Sequence, residues 1–302
     1  MIQKGMTSIY QCGRQFTQGE IELIRETVEL FPRLSQTDLA ETICEHLGWF
    51  SASGGYKRDA CLKLLHKLEA MEILRLPEKR KQTRSHRTSV KVTARTDPGR
   101  SLVGGLGDIG PISLEVAVGK EAIGLCREYL FRYHYLGYKQ PFGCYLHYLI
   151  GSGVGMLGCA LFSGAAKSLG VRDRWVGWVE ERRLMNLGWV INNSRFLIFP
   201  WVRVRNLSSH VLGRIARRIG DDWEECWGYR PVLMESFVDP GYYEGSCYKA
   251  AGWEYLGMTT GEGLVRKGKS YTTTPKMIFV KPLVKNFREL LCSKELSGRR
   301  EE

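Results

Sequence analysis

Cys247 and Tyr248 are the adjacent residues of this chain whose types best suit group-transfer chemistry. They follow the segments "VDP" and "EGS" and stand at the expected start of a helix. A helix N-terminus lowers the pKa of a thiol and favours the thiolate, which is the nucleophilic form of cysteine. The pattern predicts a catalytic pair here. The alternative is that Cys247 is a small buried residue, as most free cysteines are.

Three further side chains are candidates for acid–base chemistry. His134 lies in "YHYLG", and a histidine between aromatic rings can exchange a proton near neutral pH, unless it is simply packed at a helix end. Glu235 lies inside the apolar stretch "LMESFVD", where a charge must find a partner, so it is a candidate for the site. Asp239 precedes Pro240 and either caps the following helix or acts as a base, and capping is the favoured role.

The stretch "NNSRFLIFPWVRVRNLSSHVLGRIARRI", residues 192–219, predicts an apolar strand, a short polar turn and a basic helix. This layout is common at phosphate sites, because the first amides of a helix point at the anion. The turn has no glycine, and glycines let a backbone wrap closely around a pyrophosphate. We therefore expect the phosphates of a nucleic acid rather than those of a cofactor. The candidate contacts are Asn193, Arg195, Arg203, Arg205, Asn206, Ser208 and Ser209.

Arginines and tryptophans alternate around this stretch. Ten arginines, Arg174 among them, fall within residues 172–218. Arginine offers a forked set of donors that suits phosphate, and tryptophan rings can stack on bases. The alternative is that the tryptophans fill the core while the arginines cover it. The tryptophans concerned are Trp175, Trp178, Trp189 and Trp201.

Residues 17–76 are expected to form three helices and a short extended end, the outline of a helix-turn-helix or winged-helix module. Thr17 and either Ser35 or Thr37 are the expected N-caps of the first two helices. The third helix would read DNA through Lys57, Arg58 and Lys63. A small helical bundle with a solvated basic face is the alternative.

Residues 77–113 are predicted to be a basic linker. Eight of the 24 residues from 77 to 100 are Lys or Arg, and apolar content is low, which is typical of a flexible tether. Such a linker can lie along phosphates and add salt-sensitive affinity, or it can merely keep two domains soluble. The linker residues proposed to contact nucleic acid are Lys79, Arg80, Lys81, Arg84 and Arg87.

Residues 114–285 alternate strand-like and helical segments, and residues 286–302 form a C-terminal tail. The segment "GSGVG" predicts a hairpin turn between two strands. Strand hairpins followed by strand–helix pairs predict an α+β fold in which a helical, winged-helix-like module precedes a mixed-sheet α/β domain.

The segment "CYKAAGWEYLGMTTG", with Tyr248 and the pair Gly252–Trp253, resembles the GCN5-related N-acetyltransferases. Residues 131–260 follow the order of elements in that superfamily. The resemblance implies an acetyltransferase-like fold in which Tyr248 protonates a thiolate leaving group. This chain departs from the superfamily at 203–210, "RVRNLSSH", where spaced glycines are absent. The cofactor therefore stays unassigned, and the turn argues against acetyl-CoA.

A second resemblance covers about residues 20–285. "FRYHYLGY", "ALFSGAAKSLGVRDRWVGW", "RRLMNLGWVINNSRFLIFPWVRVRNLSSHVL" and "YRPVLMESFVDPGYYEGSCYKAAGW" are similar to the DruA-like proteins of the Druantia anti-phage system. The resemblance implies a bacterial protein of phage defence or of mobile elements, with other defence proteins as possible partners. It assigns no mechanism.

Composition agrees with an anionic partner. The 302 residues carry a formal charge of +12 and a pI near 9.3, which favours nucleic acid, acidic lipid or a phosphorylated ligand without choosing among them; the clustering of the basic residues favours nucleic acid, and we expect DNA. The nine cysteines include no C-x-x-C pair, and no signal-peptide core opens the chain, so we expect free thiols in the cytoplasm. No spacing predicts a bound metal, and no apolar run is long enough to span a membrane.

Three functions follow, from different classes. The first is a DNA-interacting protein of phage defence or mobile elements. The second is a group-transfer enzyme that modifies a nucleobase, with His134, Cys247 and Tyr248 at its centre. The third is an acetyl-CoA-dependent acyltransferase, which the missing glycines disfavour.

Overall fold

The computed structural model describes residues 9–32, 34–77, 90–141, 143–261, 274–294 and 296. The five basic residues predicted between 79 and 87 (Lys79, Arg80, Lys81, Arg84 and Arg87) lie outside the described residues. The chain divides into two compact units. The first comprises the described parts of 1–87, 179–187 and 292–302, and the second those of 88–178 and 188–291.

The first unit opens with a hairpin of β1 (Ile9–Gln11) and β2 (Arg14–Phe16), followed by α1 (Gln18–Leu30), α2 (Gln36–His46) and α3 (Arg58–Ala70). Thr17 caps α1 through a reciprocal capping box with Glu20, and the Ser35 hydroxyl accepts from the Asp38 amide at 3.2 Å, as the sequence predicts. One apolar core closes the unit. It includes Phe16, Ile24, Ile43, Leu64 and Leu65.

The three predicted helices are thus present, but the winged-helix arrangement stays a prediction. The described residues after α3, 71–77, contain no strand, and the hairpin comes before the helices instead.

The second unit is built on a mixed sheet, as the sequence predicts. Its elements are β3 (Leu102–Gly104), β4 (Ile112–Val116), α4 (Gly119–Tyr133), β5 (Tyr145–Ser152), β6 (Gly155–Gly164), α5 (Gly170–Val176), β7 (Val190–Ile198), β8 (Val202–Val204), α7 (Leu207–Trp227), β9 (Leu233–Val238), α8 (Ser246–Ala250), β10 (Glu254–Met258), β11 (Met277–Pro282) and α9 (Phe287–Cys292). Between α5 and β7, α6 (Glu180–Asn186) belongs to the first unit.

Within the described residues, the sheet runs β10-β11-β9-β7-β6-β5-β4, and a short parallel pair joins β3 to β8. Every neighbouring pair in the large sheet is antiparallel except β7 with β9. The β5–β6 hairpin turns at the predicted glycine segment, with Ser152 opposite Gly155. Helix α7 buries one apolar stripe that includes Val211, Ile215 and Ile219, the spacing expected of a helix packed on a core.

Residues 90–113 differ from the predicted linker, because they belong to the second unit. The Thr96 side chain is fully buried, and its hydroxyl donates to the Glu128 carboxylate on α4 at 2.6 Å. Arg132, also on α4, donates to Thr96 Oγ1 at 2.8 Å and pairs with Asp97 at 2.9 Å. Although the composition of this segment is typical of a tether, hydrogen bonds and an ion pair to residues of α4 hold it in place.

Candidate functional site

A cleft opens where strands β7 and β9 separate. The two strands pair only from Val190 with Leu233 to Asn193 with Ser236, although β7 continues to Ile198 and β9 to Val238. On its other side, β7 shifts register against β6, leaving Ser194 as an extra residue between Asn193 and Arg195. Such a bulge bends and twists its strand. The bulge thus accounts for the separation, which leaves backbone groups of β7 without a ladder partner on the β9 side.

A cavity of about 250 Å³ fills this cleft. It brings together six of the predicted site residues from four segments of the sequence. These are His134, Asn193, Arg195, Ser208, Cys247 and Tyr248. Glu235 and Asp239 are not among the residues that line it. The predicted residues are therefore half of the twelve polar residues in the cavity lining, and their convergence depends on the sheet.

Tyr248 anchors a buried hydrogen-bond network at the cavity. Its hydroxyl donates to Asn193 Oδ1 at 2.8 Å, and the Ser236 hydroxyl lies 3.0 Å from the tyrosine oxygen. Phe279 stacks on the ring at 5.3 Å, and Trp253 meets it edge-on at 5.1 Å. Burial raises the pKa of Tyr248 well above its ordinary value. The hydroxyl therefore keeps its proton at neutral pH, which suits a hydrogen-bond donor or a general acid rather than a base.

His134 differs from its prediction. Burial, and then the charges of Arg195 and Lys276, lower the pKa of His134 to about 4, so the ring is neutral at pH 7. The structure therefore does not favour proton exchange near neutral pH, and a role of His134 in the site stays a prediction. Its Nδ1 accepts from the Leu136 amide at 3.2 Å, which assigns the ring proton to Nε2. In this state His134 is a hydrogen-bond donor.

Cys247 is not an activated thiol. Helix α8 has only five residues, and burial raises the pKa of the Cys247 thiol even though the backbone amides of residues 247 and 248 oppose it. The prediction of a lowered pKa is wrong, because one helical turn gathers too little dipole to offset desolvation. The residue nevertheless lines the cavity beside Tyr248.

Glu235 and Asp239 have structural partners. The fully buried Glu235 carboxylate pairs with Arg172 at 2.7 Å and accepts from the Ala166 amide at 2.7 Å. Burial raises the pKa of Glu235, and the arginine opposes that shift. The carboxylate of Asp239 accepts from the Gly241 amide at 3.0 Å and so caps the turn after β9. It does not cap helix α8, which was its predicted role. Neither residue faces the cleft.

The predicted phosphate turn lies on the rim of the cleft. Arg203, Arg205 and Asn206 are exposed, and neither arginine side chain has a partner among the described residues. Asn206 takes a left-handed conformation at φ 61° and makes no side-chain cap to α7. The half-buried Ser208 lines both the cleft cavity and a second, open cavity along β8.

Glycines do lie beside this turn, although none lies in it. The parallel pairing of β3 with β8 sets Gly104 opposite Val204, and the Arg205 amide donates to the Gly104 carbonyl at 2.9 Å. Gly104 and Gly105 line the second cavity together with the two arginines. The segment "VGGLGD" carried this signal in the sequence, and only the strand pairing links it to residues 203–208.

The other predicted nucleic-acid contacts are scattered. In the first unit, Lys57 is half-buried and burial lowers its pKa, Arg58 pairs with Glu41 at 3.0 Å, and Lys63 is exposed. In the second unit, Arg174 is exposed on α5, whereas Arg195 is half-buried in the cleft.

The tryptophans pack into the protein to different depths, and Trp175, Trp178 and Trp201 are each half-buried. Trp189 is buried, Trp178 donates to the Leu291 carbonyl at 2.6 Å, and Trp175 stacks on Phe287 at 5.0 Å. The exposed rings near the cleft belong to two tyrosines that were not among the predicted site residues, Tyr242 and Tyr243. Their signal was an adjacent pair in a turn, "PGYYEG".

The described residues contain no group of three or more potential ligands arranged to hold a metal ion. Over the same residues, none of the helices combines the length and apolar character required to cross a bilayer.

Solved acetyltransferases are similar to the chain in structure. A Bacillus subtilis acetyltransferase in complex with CoA has a TM-score of 0.34 and 8% identity over 58% of this chain and 100% of its own. An aminoglycoside acetyltransferase with coenzyme A and kanamycin has a TM-score of 0.38 and 16% identity, over 59% and 98%. A Drosophila melanogaster polyamine N-acetyltransferase has 0.36 and 11%, over 57% and 100%. Similarity at this level carries no inference about activity.

No curated protein matches the chain. A family model does match it, over residues 67–272, and its description is Druantia protein DruA. The match spans more than half of the 302 residues and includes the whole cleft, from His134 through the bulged strand β7 to Tyr248. The chain therefore belongs to the DruA family.

Proposed function

We propose that this DruA-family protein interacts with DNA in anti-phage defence and holds DNA phosphates at the turn 203–209. The observation that carries the proposal is a pair of exposed arginines, Arg203 and Arg205, that have no partner among the described residues. They precede the 21-residue helix α7. The first turn of this helix contains no acidic residue, and its N-terminus has no side-chain cap. Arginine forks and free helical amides are complementary to phosphate oxygens.

The overall charge of +12 supports the same partner. A protein that neutralises phosphates releases condensed counterions, so the logarithm of its affinity falls with the logarithm of salt concentration. Each phosphate contact adds about 0.9 to that slope on duplex DNA.

The test is a salt titration of DNA binding by the full chain, read by fluorescence anisotropy. Arg203→Ala/Arg205→Ala is expected to reduce the salt slope by about 2 and to weaken binding to all DNA sequences alike. The matched control is Arg217→Ala/Arg230→Ala, which removes the same charge from exposed positions of this unit, where Arg230 is already paired with Asp221. Equal losses of DNA affinity in the two variants would mean that the arginines of the turn contribute only through the net charge of the protein. No binding at low salt would refute the proposal.

A second candidate, group transfer to a nucleobase, is favoured by the cleft itself. Beyond Asn193, β7 has no ladder partner on the β9 side among the described residues, and its backbone groups other than the carbonyls of Ser194 and Arg195 can hydrogen-bond an extended, amide-bearing donor in the manner of an added strand. The protonated Tyr248 lies in the same cavity. Gly104 and Gly105 beside Ser208 supply the small residues that the turn lacks. These residues fit a carrier such as coenzyme A, which would supply the group to be transferred.

Calorimetric titration with acetyl-CoA and with coenzyme A tests this candidate directly. We expect saturable binding that Ser194→Pro weakens, because proline removes an amide at the bulge where the strands separate. Failure of both ligands to bind would exclude a coenzyme A carrier and leave DNA binding unaffected.

A further inference from the structure

Three tyrosines form a single aromatic cluster at the cleft cavity, here named the tyrosine cluster. The Tyr135 ring centroid lies 4.8 Å from that of Tyr242 and 5.6 Å from that of Tyr243. Tyr135 and Tyr243 line the cavity, while Tyr242 and Tyr243 are 66% and 55% exposed. Adjacent aromatic rings left in water beside a cavity are a common mark of a binding surface.

The backbone holds these rings in place. The Asp239 carbonyl accepts from the amides of Tyr242 and Tyr243 at 3.1 and 3.0 Å, and the buried carboxylate of Asp239 fixes the same turn through Gly241. On the other side, His134 stacks on Tyr135 with centroids 4.9 Å apart. The cluster is therefore preorganised, and a ligand that stacks on it loses little further conformational entropy on binding.

The polar groups of the cavity suit a planar ring with hydrogen-bonding edges. His134 is neutral and donates through Nε2, and the hydroxyl groups of Ser194 and Ser236 are in the same lining. Arg195 donates from Nε to the Gly137 carbonyl at 2.8 Å and from Nη1 to the Ser194 carbonyl at 2.6 Å, and it pairs with no carboxylate among the described residues. Glu244 is the one carboxylate of the described lining, which suits a polycationic ligand poorly.

We propose that the tyrosine cluster stacks an unpaired DNA base at the mouth of this cavity. The inference rests on the proposed DNA binding and names the part of the DNA that this surface recognises. Ser208 of the phosphate turn lines the same cavity as Tyr135 and Tyr243, so one strand can place a phosphate at the turn and a base on the rings. Every base has a π-face, so stacking of this kind tolerates any sequence.

The experiment compares a short single-stranded oligonucleotide with an abasic oligonucleotide of equal length and charge. Both are titrated against the full chain and against Tyr242→Ala/Tyr243→Ala. We expect the alanine pair to bind the base-bearing strand about tenfold more weakly and the abasic strand unchanged. Tyr242→Phe/Tyr243→Phe keeps the rings and should keep the affinity. Tyr10→Ala, which removes a 56% exposed tyrosine from the first unit, is the matched control.

Equal affinity for the two oligonucleotides, with no effect of the alanine pair, would overturn the tyrosine cluster as a base site while leaving the phosphate proposal standing. A phenylalanine pair as weak as the alanine pair would overturn stacking. Absence of binding to either strand at low salt would overturn both proposals together. Circular dichroism melting of each variant confirms that the fold is retained, since both rings are exposed.

Discussion

Replacing Arg172 with methionine should lower the free energy of unfolding strongly, because it leaves the buried carboxylate of Glu235 without its counter-charge. Arg172 and Glu235 are both fully buried and lie 2.7 Å apart. The guanidinium also donates to the Ala166 carbonyl at 3.0 Å and pairs with Asp173 at 2.7 Å. After Arg172→Met, Glu235 would keep only the amide of Ala166 as a donor.

The magnitude follows from that geometry. Breaking a buried ion pair by removing one partner costs about 3–5 kcal/mol, because a desolvated charge remains. For a unit of this size, each kcal/mol lowers the melting temperature by about 2–4 °C, so a fall of roughly 6–20 °C is expected. Arg172→Met/Glu235→Gln removes both charges while the glutamine carbonyl still accepts from Ala166, and it should recover more than half of the loss.

Urea unfolding of the wild type, the two single variants and the double variant completes the cycle. A loss below about 1 kcal/mol for Arg172→Met would refute the reasoning, since it would mean that water reaches Glu235. A double variant whose loss equals the sum of the two single losses would show that the pair is not coupled.

Further predictions concern protonation and backbone geometry. Burial lowers the pKa of His147 to about 4, so the stability that depends on the neutral ring is present above the unfolded pKa near 6.5 and is lost as pH falls through 4. We expect the free energy of unfolding to fall by about 2 kcal/mol by pH 5, and this fall to be absent in His147→Phe. Urea unfolding that gives parallel pH profiles for the wild type and this variant would contradict the prediction. Alkylation of Cys247 at pH 7.5 should be slower than that of a model thiol, because burial raises its pKa; mass spectrometry showing faster modification would restore the thiolate. Gly245→Ala should destabilise the protein by about 2 kcal/mol or more. Gly245 has a φ of +69°, and a Cβ at this position would lie 2.5 Å from the Phe279 ring. If the variant melts at the wild-type temperature, the ring moves freely.

Periodic and local signals in the sequence predicted the elements well. The caps at Thr17 and Ser35, the glycine hairpin between β5 and β6 and the strand–turn–helix at 190–227 each depend on residues within a few positions of one another. Local steric and hydrogen-bonding preferences are sufficient for such features, so composition and spacing reveal them. The mixed sheet was predicted from the order in which strand and helix segments follow one another.

Protonation states could not be predicted this way. His134 and Cys247 were assigned chemistry from their neighbours in the sequence, yet burial by residues from other elements decided both pKa values. Desolvation depends on the whole surroundings of a group, which a single segment does not specify. The same limit applies to Thr96. Its polar neighbours in the sequence predicted a tether, but its hydroxyl is bonded to Glu128, 32 residues away.

The sequence by itself determined that the chain is basic and that Arg203 and Arg205 precede a helix, and it marked Asn193 and Tyr248 as candidate site residues. Tertiary structure decided that Tyr248, Asn193 and Ser236 share one network, that Gly104 lies beside the turn, and that Tyr242 and Tyr243 meet Tyr135. The physical reason is that strand pairing brings together residues up to a hundred positions apart. The bulge at Ser194 then opens the cleft on which they converge, and no local signal encodes either event.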